Sequence, residues 1–127
     1  MNYRINPRTI HPPAAKYAHG VLSRGFDQIL HSSGIVPVDT DGNTPEKIDD
    51  QATLVWKNIV EILKEAHMEL TDIVSVTTYV VLDQDLQAVM KARDHHLKQH
   101  RAASTLVTVP ELAQDQWKME ISIIAVK

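Results

Sequence analysis

The 127-residue sequence contains no cysteine. That excludes disulfides, thiolate metal ligands and a cysteine nucleophile, and it fits a reducing cytoplasm. Aromatic residues are scarce, with one Phe, two Trp and three Tyr, so the core has to be built mostly from aliphatic side chains. No apolar run approaches the ~20 residues that a membrane span requires. The opening MNYRINPRTIHPP lacks the apolar stretch of a signal peptide, so export is not expected. An excess of basic charge is missing too. The formal net charge is −3 at pH 7, which argues against a nucleic-acid partner, because such a partner needs a basic face to displace its counterions. The densest basic stretch, KARDHHLKQHR, is helical in pattern and interrupted by Asp94. It reads as a solvated face.

What remains is ordinary globular material: 43% hydrophobic and 23% charged residues, with no repeat, low-complexity tract or linker, predicting one domain over residues 1–127. Two short strand-like runs flank Gly25-Phe26-Asp27 and predict a hairpin. VDTDGNTPEK reads as a loop, and Thr44-Pro45-Glu46 as the start of a helix. Ile48, Ala52, Val55, Ile59, Ile62, Leu63 and Ala66 then recur at helical spacing. DIVSVTTYVVL (72–82) is β-branched and strand-like. Asp83 is placed to cap a second helix whose apolar face holds Leu86, Val89, Met90 and Leu97, with Arg93 among them. STLVTV (104–109) is a strand ended by Pro110, and WKMEISIIAVK closes the chain as a longer one.

The predicted order is ββαβαββ, an α+β fold with two helices packed on one face of a mixed sheet. In IVSVTTYVVL and ISIIAV apolar residues fall on both alternation phases, so both sheet faces are expected to be buried. Two helices cover one face. Oligomerisation is the natural cover for the other.

This layout resembles the reactive intermediate deaminase family, also called Rid or YjgF-like. The matching pieces are KYAHGV (16–21), SSGIVPV (32–38), QATLVWKNIVEILKEA (51–66), TDIVSVTTYVVLDQDLQAV (71–89) and MEISIIAVK (119–127 with its Glu-bearing strand). They stand in the family's order and span almost the whole chain. The resemblance implies a chorismate-mutase-like fold and a homotrimer with ligand clefts between subunits. It also implies hydrolysis of enamines and imines to 2-keto acids and ammonia, without metal or cofactor.

The same resemblance supplies a site. Glu120 matches the family carboxylate that handles the attacking water, and Tyr17 the family tyrosine; the segment with Ser33 and Gly34 and the backbone of Leu106 would line the cleft. The family's carboxylate-gripping Arg falls on Ser104, which is expected to face that cleft. A guanidinium fork gives charge-assisted bidentate grip that a hydroxyl cannot replace. Arg101, three residues upstream, either reaches the ligand or complements, with His100, the negative end of the second helix, the reading favoured here. His96 and His100 are four apart, a spacing that suits a metal, but no third ligand completes a set. His31 precedes the Ser32-Ser33-Gly34 segment and reads as an interface residue. Ser104 lacks the base and orienter that a nucleophilic hydroxyl needs.

Two functions stay open. One is a hydrolytic deaminase with an altered substrate, because the Arg is missing; the other is a non-catalytic trimeric module that binds a small metabolite. A ribonuclease role, an older label in the family, is disfavoured by the negative charge.

Overall fold

A computed structural model describes all residues, 1–127. The elements are β1 (Asn2–Ile5), β2 (Gly20–Ser23), β3 (Ile29–His31), α1 (Ile48–Glu65), β4 (Ile73–Val81), α2 (Leu86–Leu97), β5 (Ala103–Val109) and β6 (Met119–Val126), with a 3₁₀ turn at Leu70–Asp72. Four strands form a mixed sheet in the order β3-β6-β4-β5. Its β4–β5 pair is parallel and the others antiparallel. Both helices lie on one face of this sheet, as expected of the α+β class. No helix is long and apolar enough to cross a membrane.

The core follows from α1. Ala52, Val55, Trp56, Ile59 and Leu63 recur at helical spacing and are fully buried. They pack on Val76, Val80, Met119, Ile121, Ile123 and Ala125 of the sheet and on Val89 and Leu97 of α2. Emptying one such site, as in Ile59→Ala, removes both transfer energy and packing, about 2–5 kcal/mol.

Several local expectations need correction. A strand not foreseen, β1, precedes the others and takes the edge of β2 to form a separate two-stranded sheet. The β2–β3 hairpin does not form. Gly25 does turn the chain, at φ +57°, but the N–H groups of Asp27 and Gln28 both donate to the Lys127 carbonyl (2.9 and 3.0 Å). That pulls β3 onto β6 instead. Helix α1 starts at Ile48, after Thr44-Pro45-Glu46, and Lys47 at its cap offers no side-chain bond. The Pro45 carbonyl is taken by the Gln51 side chain (2.8 Å) and the Glu46 carbonyl by Lys118, so neither feeds the helical ladder. The cap of α2 is Asp85, which accepts from the N–H groups of Gln87 and Ala88. Asp83 sits at φ +67°, outside the helix.

The second sheet face is uncovered in the single chain. In β6, Met119, Ile121, Ile123 and Ala125 are buried against the helices, while Glu120, Ser122 and Ile124 are half-exposed. In β4, Ser75, Thr77 and Tyr79 share that half-exposed side. The middle of this outer face carries hydroxyls and one carboxylate, with the aliphatic Val107 beside Tyr79.

Candidate functional site

Strand alternation decides which side chains meet, because successive residues point to opposite faces. Glu120 lies opposite Tyr79, and Tyr79 beside Val107. The next row is Ser122, Thr77 and Thr105. All six positions share the outer face.

Segment 29–35 runs along the other edge of β6. His31 lies opposite Ile124 and Ile35 opposite Ile121, so three residues on this side, Ser32 to Gly34, face two on β6. The extra residue makes a bulge, a device that re-aims side chains and disrupts the ladder locally. Ser32 holds it: its N–H donates to the Ile123 carbonyl (3.0 Å), and its Oγ accepts from the Ile123 N–H (2.8 Å) and donates to the Ser33 carbonyl (2.7 Å). The Ile35 N–H returns to the Ile121 carbonyl at 2.7 Å.

Gly34 sits in this bulge, and the Glu120 carboxylate folds over it. A Cβ at position 34 would lie 1.8 Å from Glu120 Oε2 and 3.0 Å from Cδ. The bare backbone of Gly34 is what allows the carboxylate its place. Glu120 joins neither of the ion pairs in the chain, Lys64–Glu61 and Arg93–Asp94. A half-exposed carboxylate without a cation, seated against bare backbone, is free to take a proton from water or to accept a ligand's hydrogen bond.

The other sequence-derived candidates are dispersed. Ser104 does not face Glu120, a correction to the expected cleft position. It lies beside Val76, a buried residue of the helix side, and its Oγ is 3.5 Å from Arg93 Nη1 of α2. The Leu106 side chain packs on the core; the cleft expectation concerned its backbone, which follows Thr105 on β5. The residue of that strand on Glu120's face is Thr105. Arg101 Nη1 donates to the carbonyls of Lys98 (2.6 Å) and His100 (3.1 Å), which holds the guanidinium at the end of α2. Ser33 is exposed beside Gly34.

Tyr17 stands at the far end of β5. Ala18 bridges Ala103, and the Tyr17 hydroxyl accepts from the Ala14 N–H at 3.2 Å. Ala103 is four residues along β5 from the row of Glu120 and two strands across, about 16 Å at ordinary strand spacings, and Tyr17 lies one strand further out, next to Ala18. His96 hydrogen-bonds the Ala92 carbonyl (2.8 Å) and stacks on Trp56, and His100 bonds the Ile73 carbonyl (2.7 Å). His31 is exposed on β3.

The two largest clefts, about 990 and 580 Å³, lie on the helix side and are not lined by Glu120. One wall of the candidate site is therefore this sheet face. Sequence reasoning missed Thr77, Tyr79, Thr105 and Ser122. Their signal was the period-two run of hydroxyls at Ser75, Thr77 and Tyr79.

Residues 9–127 match the family model described as Endoribonuclease L-PSP. The chain belongs to this family. It is 28% identical over 126 residues to the protein named reactive intermediate deaminase TdcF of Escherichia coli (strain K12), covering 94% of this chain and 97% of that protein. It is 30% identical over 117 residues to a RutC family protein of Aquifex aeolicus (strain VF5), covering 91% of each. Among solved structures, the Rid-family protein YyfB of Yersinia pestis aligns with a TM-score of 0.87 at 25% identity, over 99% of this chain and 98% of that one. Escherichia coli TdcF with bound serine aligns with a TM-score of 0.73 at 27% identity, over 96% and 93%. The Rid family and its fold, expected from the sequence motifs, are both found. In this Rid-type frame the outer face of the sheet, with Glu120 over Gly34, is the chain's candidate active site.

Proposed function

We propose that this Rid-family chain hydrolyses reactive imines and enamines, on a substrate other than a simple 2-imino acid. The observation that carries the reading is the Glu120 carboxylate, held against the bare backbone of Gly34 and unpaired with any cation. The deaminase name of TdcF supports the reaction class. The enamine first tautomerises to its imine. Glu120 takes a proton from water as the oxygen bonds to the imine carbon, and the nitrogen is protonated. The resulting carbinolamine loses ammonia and leaves a carbonyl compound. General-base assistance of this kind contributes about 10²–10⁴-fold. No step calls for a metal or cofactor.

The site works, in this proposal, in a homotrimer with clefts between subunits. The open sheet face of Glu120 supports that assembly, as does the distance of Tyr17 from Glu120 within one chain: a neighbouring copy then supplies Tyr17. The partner is a small molecule and not a nucleic acid, in keeping with the net charge of −3, and the cysteine-free composition suits the cytoplasm.

A second reading, a binding module without turnover, is favoured by one observation: Ser122, Thr77 and Thr105 offer no cation to grip a carboxylate. Comparing wild type with Glu120→Gln on an imine made in situ by an oxidase separates the two. Hydrolysis requires ammonia release above the spontaneous rate, lost about 100-fold or more in Glu120→Gln. Equal rates in the two proteins overturn it, and wild-type binding without any added rate selects the binding module.

A further inference from the structure

The face that carries Glu120 is lined with hydroxyls. Directly opposed residues of an antiparallel pair have Cβ atoms about 4.5–5.5 Å apart. Tyr79 stands across this pair from Glu120, on the side of β6 away from Gly34, and Thr77 and Ser122 occupy the next row, so a small ligand that extends from the Glu120 carboxylate over β6 reaches these hydroxyls. Each hydroxyl donates and accepts hydrogen bonds and carries no charge.

Within one chain, the cations near this region are committed elsewhere. Arg93 is on the helix side, 7% exposed, paired with Asp94 at 3.0 Å. Arg101 is held by the carbonyls of Lys98 and His100. Lys118 comes two residues before Glu120 on the same strand phase, but its ammonium donates to the Glu46 carbonyl before α1. A carboxylate placed here would meet the like charge of Glu120 and neutral hydroxyls, an arrangement that disfavours it. An uncharged oxygen would find both donors and acceptors.

We infer, resting on the hydrolytic reading of Glu120, that the substrate is an uncharged imine bearing a hydroxyl on the carbon next to C=N, recognised by Thr77 and Tyr79. The balanced reaction for the smallest branched member is CH₃–C(=NH)–CH₂OH + H₂O → CH₃–CO–CH₂OH + NH₃. The water oxygen bonds to the imine carbon, the C–N bond breaks, and the water protons leave on ammonia. Thr77 and Tyr79 bind the hydroxyl; neither takes part in the proton transfers.

A matched pair tests the inference. Hydroxyacetone and pyruvate share a three-carbon skeleton and differ in hydroxymethyl against carboxylate. Each is titrated into the full chain by NMR or calorimetry. The corresponding imines, made by oxidising 2-aminopropan-1-ol and alanine, are assayed for ammonia release. Hydroxyacetone is expected to bind about tenfold more tightly than pyruvate, and its imine to have the higher kcat/KM in similar proportion. Thr77→Val, close to isosteric, should weaken hydroxyacetone about tenfold and leave pyruvate unchanged; Tyr79→Phe gives a second reading if the first variant folds poorly. Pyruvate binding equal to or tighter than hydroxyacetone overturns the inference, whether or not either imine is hydrolysed, and so does failure of both to bind. Hydroxyacetone preference without turnover of either imine removes the hydrolytic reading and leaves the ligand class standing.

Discussion

Replacing Gly34 by Ala tests whether the seat of the Glu120 carboxylate matters to the chemistry. The added Cβ would stand 1.8 Å from Oε2, and ordinary contact begins at 3.4 Å, so that oxygen must retreat by about 1.6 Å. The atom in the way is the far end of a flexible side chain. Moving it costs about 0.5–1.5 kcal/mol if it is forced off a rotamer. Gly34 does not have the left-handed φ of Gly25 and Gly42, so alanine adopts its backbone without strain and makes the unfolded chain less flexible, worth about 0.4–1 kcal/mol in the other direction. The two terms roughly cancel, and Tm should hardly move. Catalysis should suffer far more, since a misplacement of about 1 Å costs on the order of 100-fold. The assay is kcat/KM for ammonia release from an in situ imine, with a thermal melt on the same samples. Full activity at unchanged Tm would refute the reasoning, because the carboxylate would then act from elsewhere. A large fall in Tm would mean that the contact is structural. The Gly34→Ala, Glu120→Gln double variant should be no slower than Glu120→Gln alone, the non-additivity expected of two changes to one group.

Gln51 is fully buried, donates to the Pro45 and Gln116 carbonyls, and accepts from the Lys118 N–H at 2.9 Å. Gln51→Leu strands those three backbone groups and should cost about 3 kcal/mol or more in urea unfolding, at 1–3 kcal/mol per unpaired group; a loss under 1 kcal/mol would contradict it. Arg101→Ala should leave turnover within about twofold and lower stability by less than about 1 kcal/mol, since the guanidinium serves the end of α2; abolished activity would place it in the cleft. Ser104→Ala should destabilise by about 1 kcal/mol or less, its hydroxyl standing 3.5 Å from Arg93, and leave hydroxyacetone binding unchanged, while Thr105→Arg should strengthen pyruvate about tenfold; the reverse pattern would invalidate the register. Sedimentation should give the mass of three 14.3 kDa chains, and a stable monomer at micromolar concentration would sink the inter-subunit cleft.

The elements that the sequence predicts well are those whose burial imposes a period. Val55, Ile59 and Leu63 had to share a face, and so did Met119, Ile121 and Ile123. β1 has no such period: Tyr3, Arg4 and Ile5 are exposed, and its place is set by pairing with β2, a long-range bond pattern that composition does not record. The same holds for the absent hairpin, which is decided by the Lys127 carbonyl at the opposite end of the chain. Asp83 and Asp85 are equally good caps in composition, and the left-handed turn at Asp83 chooses between them. Glu120 is singled out by its match to the family motif. Its seat over Gly34 depends on a bulge opposite β6, which exists only once the two strands are paired.

Ser104 and Thr105 show why strand phase is the hard part of such a site. In ASTLVTV, hydroxyl and apolar residues occupy both phases, so β5 alone gives no preference for one face. The parallel pairing with β4 settles it by setting Ser104 beside Val76 and Thr105 beside Thr77. A slip of one residue would send every side chain of β5 to the other face. It would set the Thr105 methyl and hydroxyl against Arg93 and bury Val107, now 39% exposed, among the core side chains. Either hydroxyl could serve the guanidinium of Arg93, which is 7% exposed; the observed pairing gives it the smaller one, Ser104. Its Oγ stands 3.5 Å from Nη1, at the outer limit of a hydrogen bond. The pairing of β5 with β4 thus fixes what the outer side shows to Glu120, and the missing guanidinium is a question about Thr105.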